Sequence, residues 1–119
     1  MTTQQIADRL VELCRQNKSK EAYLELFAEN AVATEMEHPD NPTPRTEGRD
    51  ALIKKSEQFD EMMQELHELS VSDPIVAGNY ISVSMTLDAT FQGRGHTREE
   101  EICLYKVEDG KIVSEQFFY

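Results

Sequence analysis

The chain has 119 residues, enough for one domain that buries roughly two-thirds of the surface its unfolded form exposes. Its formal charge of -11 repels nucleic acid and anionic membrane, and no local basic patch offsets that repulsion, so neither is an expected partner. Two cysteines without Cys-x-x-Cys or Cys/His ligand spacing argue against a zinc site or a redox pair.

MTTQQIADRLVELC has neither the basic start nor the unbroken apolar stretch of a signal peptide, so the expectation is a cytoplasmic protein with reduced cysteines. Ile6, Leu10, Leu13 and Cys14, flanked by Ala7 and Val11, recur every three or four residues and predict an amphipathic helix from Thr3 to about Asn17. Ser19 is a plausible N-cap for a second helix through Ala22, Tyr23, Leu26 and Phe27. AVATEME, Ala31 to Glu37, alternates as a strand does, and HPDNPTPRTEG beyond it reads as loop. Pro39, Pro42 and Pro44 make that loop a candidate lid.

A third helix opens near Gly48 and runs through Leu52, Ile53, Phe59, Met62 and Met63, with Lys54, Lys55, Glu57 and Glu61 on its wet side. HELSVSDPIVAG contains one strand, broken or bulged at Pro74. In YISVSMTLDATF, the residues Ile81, Val83, Met85, Leu87, Ala89 and Phe91 alternate with polar neighbours, giving one core face and one polar face. The last two strands meet near Val107-Glu108-Asp109-Gly110-Lys111.

Three stretches in this order, LFAENAVATE, EGRDALIKK and YKVEDGKIVSEQFFY, resemble the landmarks of the SnoaL-like branch of the nuclear transport factor 2-like superfamily, which includes ketosteroid isomerase. The resemblance implies a single SnoaL-like domain over residues 1–119. Its implied fold is an α+β cone, a curved antiparallel sheet wrapped around about three helices, with an apolar pocket inside and a dimer that pairs outer sheet faces. One scaffold of this kind hosts many activities.

On the penultimate strand Glu99, Glu101, Cys103 and Tyr105 share one face, and Glu100, Ile102, Leu104 and Lys106 the other. The turn decides how the last strand answers. With Glu108-Asp109 central and Gly110 as a left-handed bulge, Cys103 lies opposite Glu115; with Asp109-Gly110 as a two-residue type I′ turn, it lies opposite Gln116 and the faces swap. The bulged turn is preferred, and it puts Glu101, Cys103, Tyr105, Glu115, Phe117 and Tyr119 on one surface. The resemblance implies that this surface is the concave one.

By the same resemblance, the general base of ketosteroid isomerase aligns with Glu35, while its helix-one tyrosine and protonated strand acid align with Val11 and Cys103. Neither residue suits an oxyanion donor, so that isomerase activity is not expected. Polyketide cyclases use a strand acid, for which Glu101 or Glu115 stands in.

Phe59, Met62, Met63, Val83, Met85, Leu87, Cys103, Tyr105, Phe117 and Tyr119 are the expected pocket wall. A carboxylate among them would be desolvated and suited to proton transfer near neutral pH. His38 begins the loop within reach of Glu35, whereas His67 and His96 read as surface residues. No phosphate loop, dinucleotide fingerprint or Ser/His/Asp order is present, and no metal or cofactor is expected.

The expectation is therefore a small apolar organic ligand in the cone of a homodimer that pairs through Ile102 and Leu104. The alternative is a cofactor-independent isomerase, cyclase or lyase in which a pocket glutamate moves the proton, with Tyr105 or Tyr119 at the oxyanion.

Overall fold

The computed structural model describes residues 1–40 and 44–119. Helices α1 (Thr3–Arg15) and α2 (Ser19–Leu26) lead into strand β1 (Phe27–Thr34) and the short β2 (Arg45–Glu47). Helix α3 (Arg49–Met62) follows, then β3 (Met63–Val71), β4 (Ile75–Ala77), β5 (Tyr80–Phe91), β6 (Gly95–Glu108) and β7 (Lys111–Phe118). Pro42 of the candidate lid lies outside the described residues.

Local chemistry sets most of these ends. The Thr2 hydroxyl accepts from the Gln5 N–H at 3.1 Å, and the Gln5 side chain accepts from the Thr2 N–H at 2.9 Å, a reciprocal cap that satisfies orphan donors at the start of α1. The helix then buries Ile6, Ala7, Leu10, Val11 and Leu13, the stripe its periodicity predicts. Gly48, at φ 94°, turns the chain into α3. Of the α3 side chains only Leu52 and Ile53 are buried. Phe59 and Met62 remain 38% and 42% exposed, so the far half of that helix is only partly covered by the sheet.

The sheet order is β2-β1-β7-β6-β5-β3, with β4 also pairing β5. Strands β1 and β7 run parallel and every other pair is antiparallel. The concave face carries Ile81 and Val83 of β5 with Cys103, Tyr105 and Val107 of β6, all buried with α1 and α2 residues in the core, and Ala89 of β5 is buried further along. Alternation along β5 is as the sequence predicts.

Several expectations need correction. β1 starts at Phe27 and ends at Thr34, so Glu35 lies past the strand, where its N–H donates to the Pro44 carbonyl at 2.8 Å. Arg45–Glu47, expected as loop, pairs with β1 through Val32, Ala33 and Thr34. Met63 opens β3 instead of closing α3.

The most consequential difference is the last turn. Asp109 and Gly110 both have positive φ, 50° and 75°, and Glu108 pairs with Lys111, which is the two-residue turn and not the preferred bulged one. Alone, that register would send Glu115 outward. One step later the pairing passes from Val107 with Ile112 to Lys106 with Ser114, leaving Val113 as an extra residue on β7. The bulge restores the parity. Glu115 therefore faces inward as expected, opposite Tyr105 instead of Cys103, while Cys103 pairs with Phe117.

A candidate acid/base site in the cone

Among the described residues Glu115 is the acidic side chain buried with the apolar core, 3% exposed. β7 brings it inward beside Tyr105 of β6 and Ala33 of β1. α2 supplies its hydrogen-bond partner: the Tyr23 hydroxyl donates to Glu115 Oε1 at 2.7 Å. Tyr23, Phe27 and Tyr105 form an aromatic chain around the carboxyl, with ring centroids 4.6 Å apart for the first pair and 6.3 Å for the second.

That enclosure removes water from the carboxylate and disfavours its charge. Burial pushes the Glu115 carboxyl up to about 7; the Tyr23 hydrogen bond and the positive charge of Lys55 oppose the rise, while Glu101 and Glu35 add to it. Burial, then the neighbouring Glu115 charge, keeps the Tyr23 hydroxyl protonated well above its ordinary range. Glu101, half-buried, is raised mainly by burial, with a Cys103 contact at 3.6 Å pulling the other way. Burial likewise holds Cys103 and Cys14 as thiols, consistent with inert structural cysteines.

The three acids named from sequence thus occupy one region at different depths. Glu115 is innermost, while Glu101 and Glu35 are both half-buried, Glu35 in an ion pair with Lys55 at 3.0 Å. Lys55 is exposed on the wet side of α3, as expected, and from there brings its charge to this region. His38 contacts Asp40 at 3.6 Å.

Among the expected wall residues, Val83, Cys103 and Tyr105 are buried, and Met63, Met85, Leu87 and Phe117 are half-buried. Phe59, Met62 and Tyr119 are exposed, against the expectation that they line the interior. The Phe59 ring leans on Phe91, centroids 5.1 Å apart, and the Tyr119 N–H meets the Met36 sulfur at 3.3 Å. A depression of about 500 Å³ lies elsewhere, along Glu29, Glu47, Gly48, Arg49, Asp50 and Ala51 at the start of α3. Its lining is polar and none of the candidate acids borders it.

Tyr23 and Lys55 are the site residues that sequence reasoning missed. The signal for Tyr23 was its place on the apolar stripe of α2, since a buried tyrosine hydroxyl requires a partner.

Three helices against a large, curved, unclosed and mostly antiparallel sheet define an α+β cone of the nuclear transport factor 2-like type. The SnoaL-like domain model matches residues 1–119, and the chain belongs to that family. A crystal structure from Mesorhizobium loti, provisionally assigned as a SnoaL-like polyketide cyclase, is similar at 32% identity and a TM-score of 0.90, each chain covered in full. A provisionally assigned isomerase from Bacillus subtilis shares the fold at 22% identity and a TM-score of 0.71, over 98% of this chain and 88% of that one. A ketosteroid isomerase-like fold from Catenulispora acidiphila, in complex with trimethylamine, does so at 15% identity and a TM-score of 0.73, over 96% and 84%. No curated protein matches the chain. Among the described residues no helix is long and apolar enough to cross a membrane.

Proposed function

We propose that the cone binds a small, largely apolar carbonyl compound and that Glu115 moves a proton on it, as in a cofactor-independent isomerase, cyclase or lyase. The observation that carries this reading is the Tyr23–Glu115 pair: a buried carboxyl raised to about 7 beside a neutral donor. Near its pKa a carboxyl both accepts and returns a proton efficiently at neutral pH. Tyr23 spends its one hydroxyl proton on Oε1, so Oε2 is the oxygen that meets the substrate, and the buried hydroxyl of Tyr105 is the donor left for a developing oxyanion. Glu101 and Glu35 are half-buried nearby, where they raise the carboxyl further and relay protons to water.

The half-buried Met85, Leu87 and Phe117 supply an adaptable apolar wall, and the partly covered far half of α3 supplies the entrance. Binding without turnover is the second reading. Its support is that Glu115 and Tyr23 already satisfy one another through their 2.7 Å hydrogen bond.

The deciding experiment is proton exchange in heavy water, followed by NMR, with a panel of cyclic ketones and 1,3-dicarbonyls. The protein is expected to catalyse deuterium uptake in at least one panel member, and Glu115→Gln to lose about 10²–10⁴-fold of it. Full activity in the glutamine variant, or no exchange above buffer by the wild type, rejects the acid/base assignment.

The assembly that fits the sheet is a homodimer through its outer face. Ile102 and Phe118 are cross-strand neighbours there, 47% and 45% exposed, with half-buried Leu104 two residues along. A symmetric partner would cover this apolar stripe with the same stripe. Replacing Ile102 and Leu104 by aspartate is expected to give monomers by light scattering, and an unchanged mass would place any interface elsewhere.

A further inference from the structure

On the outer face, three strands away from β1, the fold gathers residues that are far apart in sequence. β5 pairs with β3 on one side and β6 on the other, which aligns Asp88 with Arg98 and Thr90 with His96. On β3 the register shifts between Leu66 and Glu68, so His67 is the extra residue of a bulge and shares the outward side with Glu68. His67 and His96, expected as unrelated surface residues, meet with ring centroids 4.9 Å apart.

From these placements the geometry points to a binding site for a divalent transition metal ion of the zinc type, held by His67, Asp88 and His96. One ring nitrogen from each histidine and one Asp88 oxygen lie within 4.8 Å of one another, the group of this kind found among the described residues. Ligand atoms in a tetrahedral zinc centre, with bonds of about 2.0–2.1 Å, are about 3.3 Å apart. Small rotations of the exposed His96 and the partly exposed His67 cover the difference, and Nε2 of His96 already contacts Asp88 Oδ1.

The surroundings suit a cation. Arg98 holds the other Asp88 oxygen at 3.4 Å, which orients the carboxylate without consuming Oδ1. Thr90 Oγ1 lies 2.8 Å from His67 Nε2 and fixes that ring. Glu65, Glu68 and Glu100 outnumber Arg98, the nearby cation, so the local field is negative. Two imidazoles and a carboxylate favour zinc-like ions over calcium or magnesium. Three protein ligands leave a fourth position to water, and the ion would tie edge strand β3 to β6 across β5.

The test is calorimetric titration of chelator-treated protein with Zn²⁺, paired with the visible spectrum of the Co²⁺ form. Binding of one ion per chain is expected. His67→Ala and His96→Ala should each weaken it about tenfold or more, Asp88→Asn should weaken it also, and His38→Ala should leave it unchanged. The cobalt spectrum should lack a thiolate charge-transfer band, which separates this site from Cys14 and Cys103. Both histidines are surface side chains, so far-ultraviolet circular dichroism should be unaltered in their variants. No binding by the wild type, undiminished binding by the double histidine variant, or a thiolate band overturns the site.

Discussion

Glu115→Gln is expected to flatten the pH dependence of stability between about pH 4.5 and 7. In the folded protein the carboxyl is raised to about 7 from an ordinary value of 4.5, so across that interval the folded state holds a proton that the unfolded state has released. The contribution is fully present below pH 4.5 and is lost as pH rises through 7. Each unit of pKa corresponds to about 1.4 kcal/mol, so the stability difference between wild type and variant should change by roughly 3 kcal/mol over the window, in favour of glutamine at the alkaline end. Glutamine still accepts the Tyr23 hydrogen bond and keeps the volume. Chemical denaturation of both proteins at a series of pH values reads this directly, and parallel curves would mean that Glu115 is not the buried acid described above.

The second large effect should come from Tyr23→Phe. The ring and its packing on Phe27 survive, but Glu115 loses the donor that opposes its desolvation. Its carboxyl should therefore titrate higher still, and the variant should be less stable at pH 8, where the wild-type carboxyl is ionised, than at pH 4.5. A hydrogen bond to a charged group contributes about 1.5–3 kcal/mol, which sets the size expected at the alkaline end. Carbon-13 NMR of labelled glutamate carboxyls gives the titration and denaturant melts give the stability. A Tyr23→Phe protein with an unmoved Glu115 titration would show that the hydroxyl is incidental.

Both predictions concern contacts whose ends are remote in sequence, and this explains what could be read beforehand. Alternation in β5 was legible because a strand with one buried face must repeat every second residue, and its inward set is the observed one. The stripe of α1 was legible for the equivalent helical reason. Strand ends were less so: β1 runs into α2 without a break because Phe27 serves as the helix C-cap and the first strand residue together.

Tyr23 and Glu115 are separated by 92 positions, and no local periodicity selects that pairing over others. Lys55 has the composition of a wet helix face, and only the approach of Glu35 past the end of β1 draws it to the site. His67 and His96 lacked ligand spacing because their proximity is made by a bulge and two strand registers, neither of which leaves a motif.

The extra residue at Val113 also bears on how relatives should be compared. The inward address of Glu115 is set by a count of residues after the Asp109-Gly110 turn, and that count includes one position without a cross-strand partner. A homologue with one residue fewer there would present its neighbouring side chain to the cone, even with every letter of the motif retained. Gap placement near Val113 therefore decides whether two family members share this acid, and an ungapped alignment of β7 would equate an interior carboxyl with an exterior one.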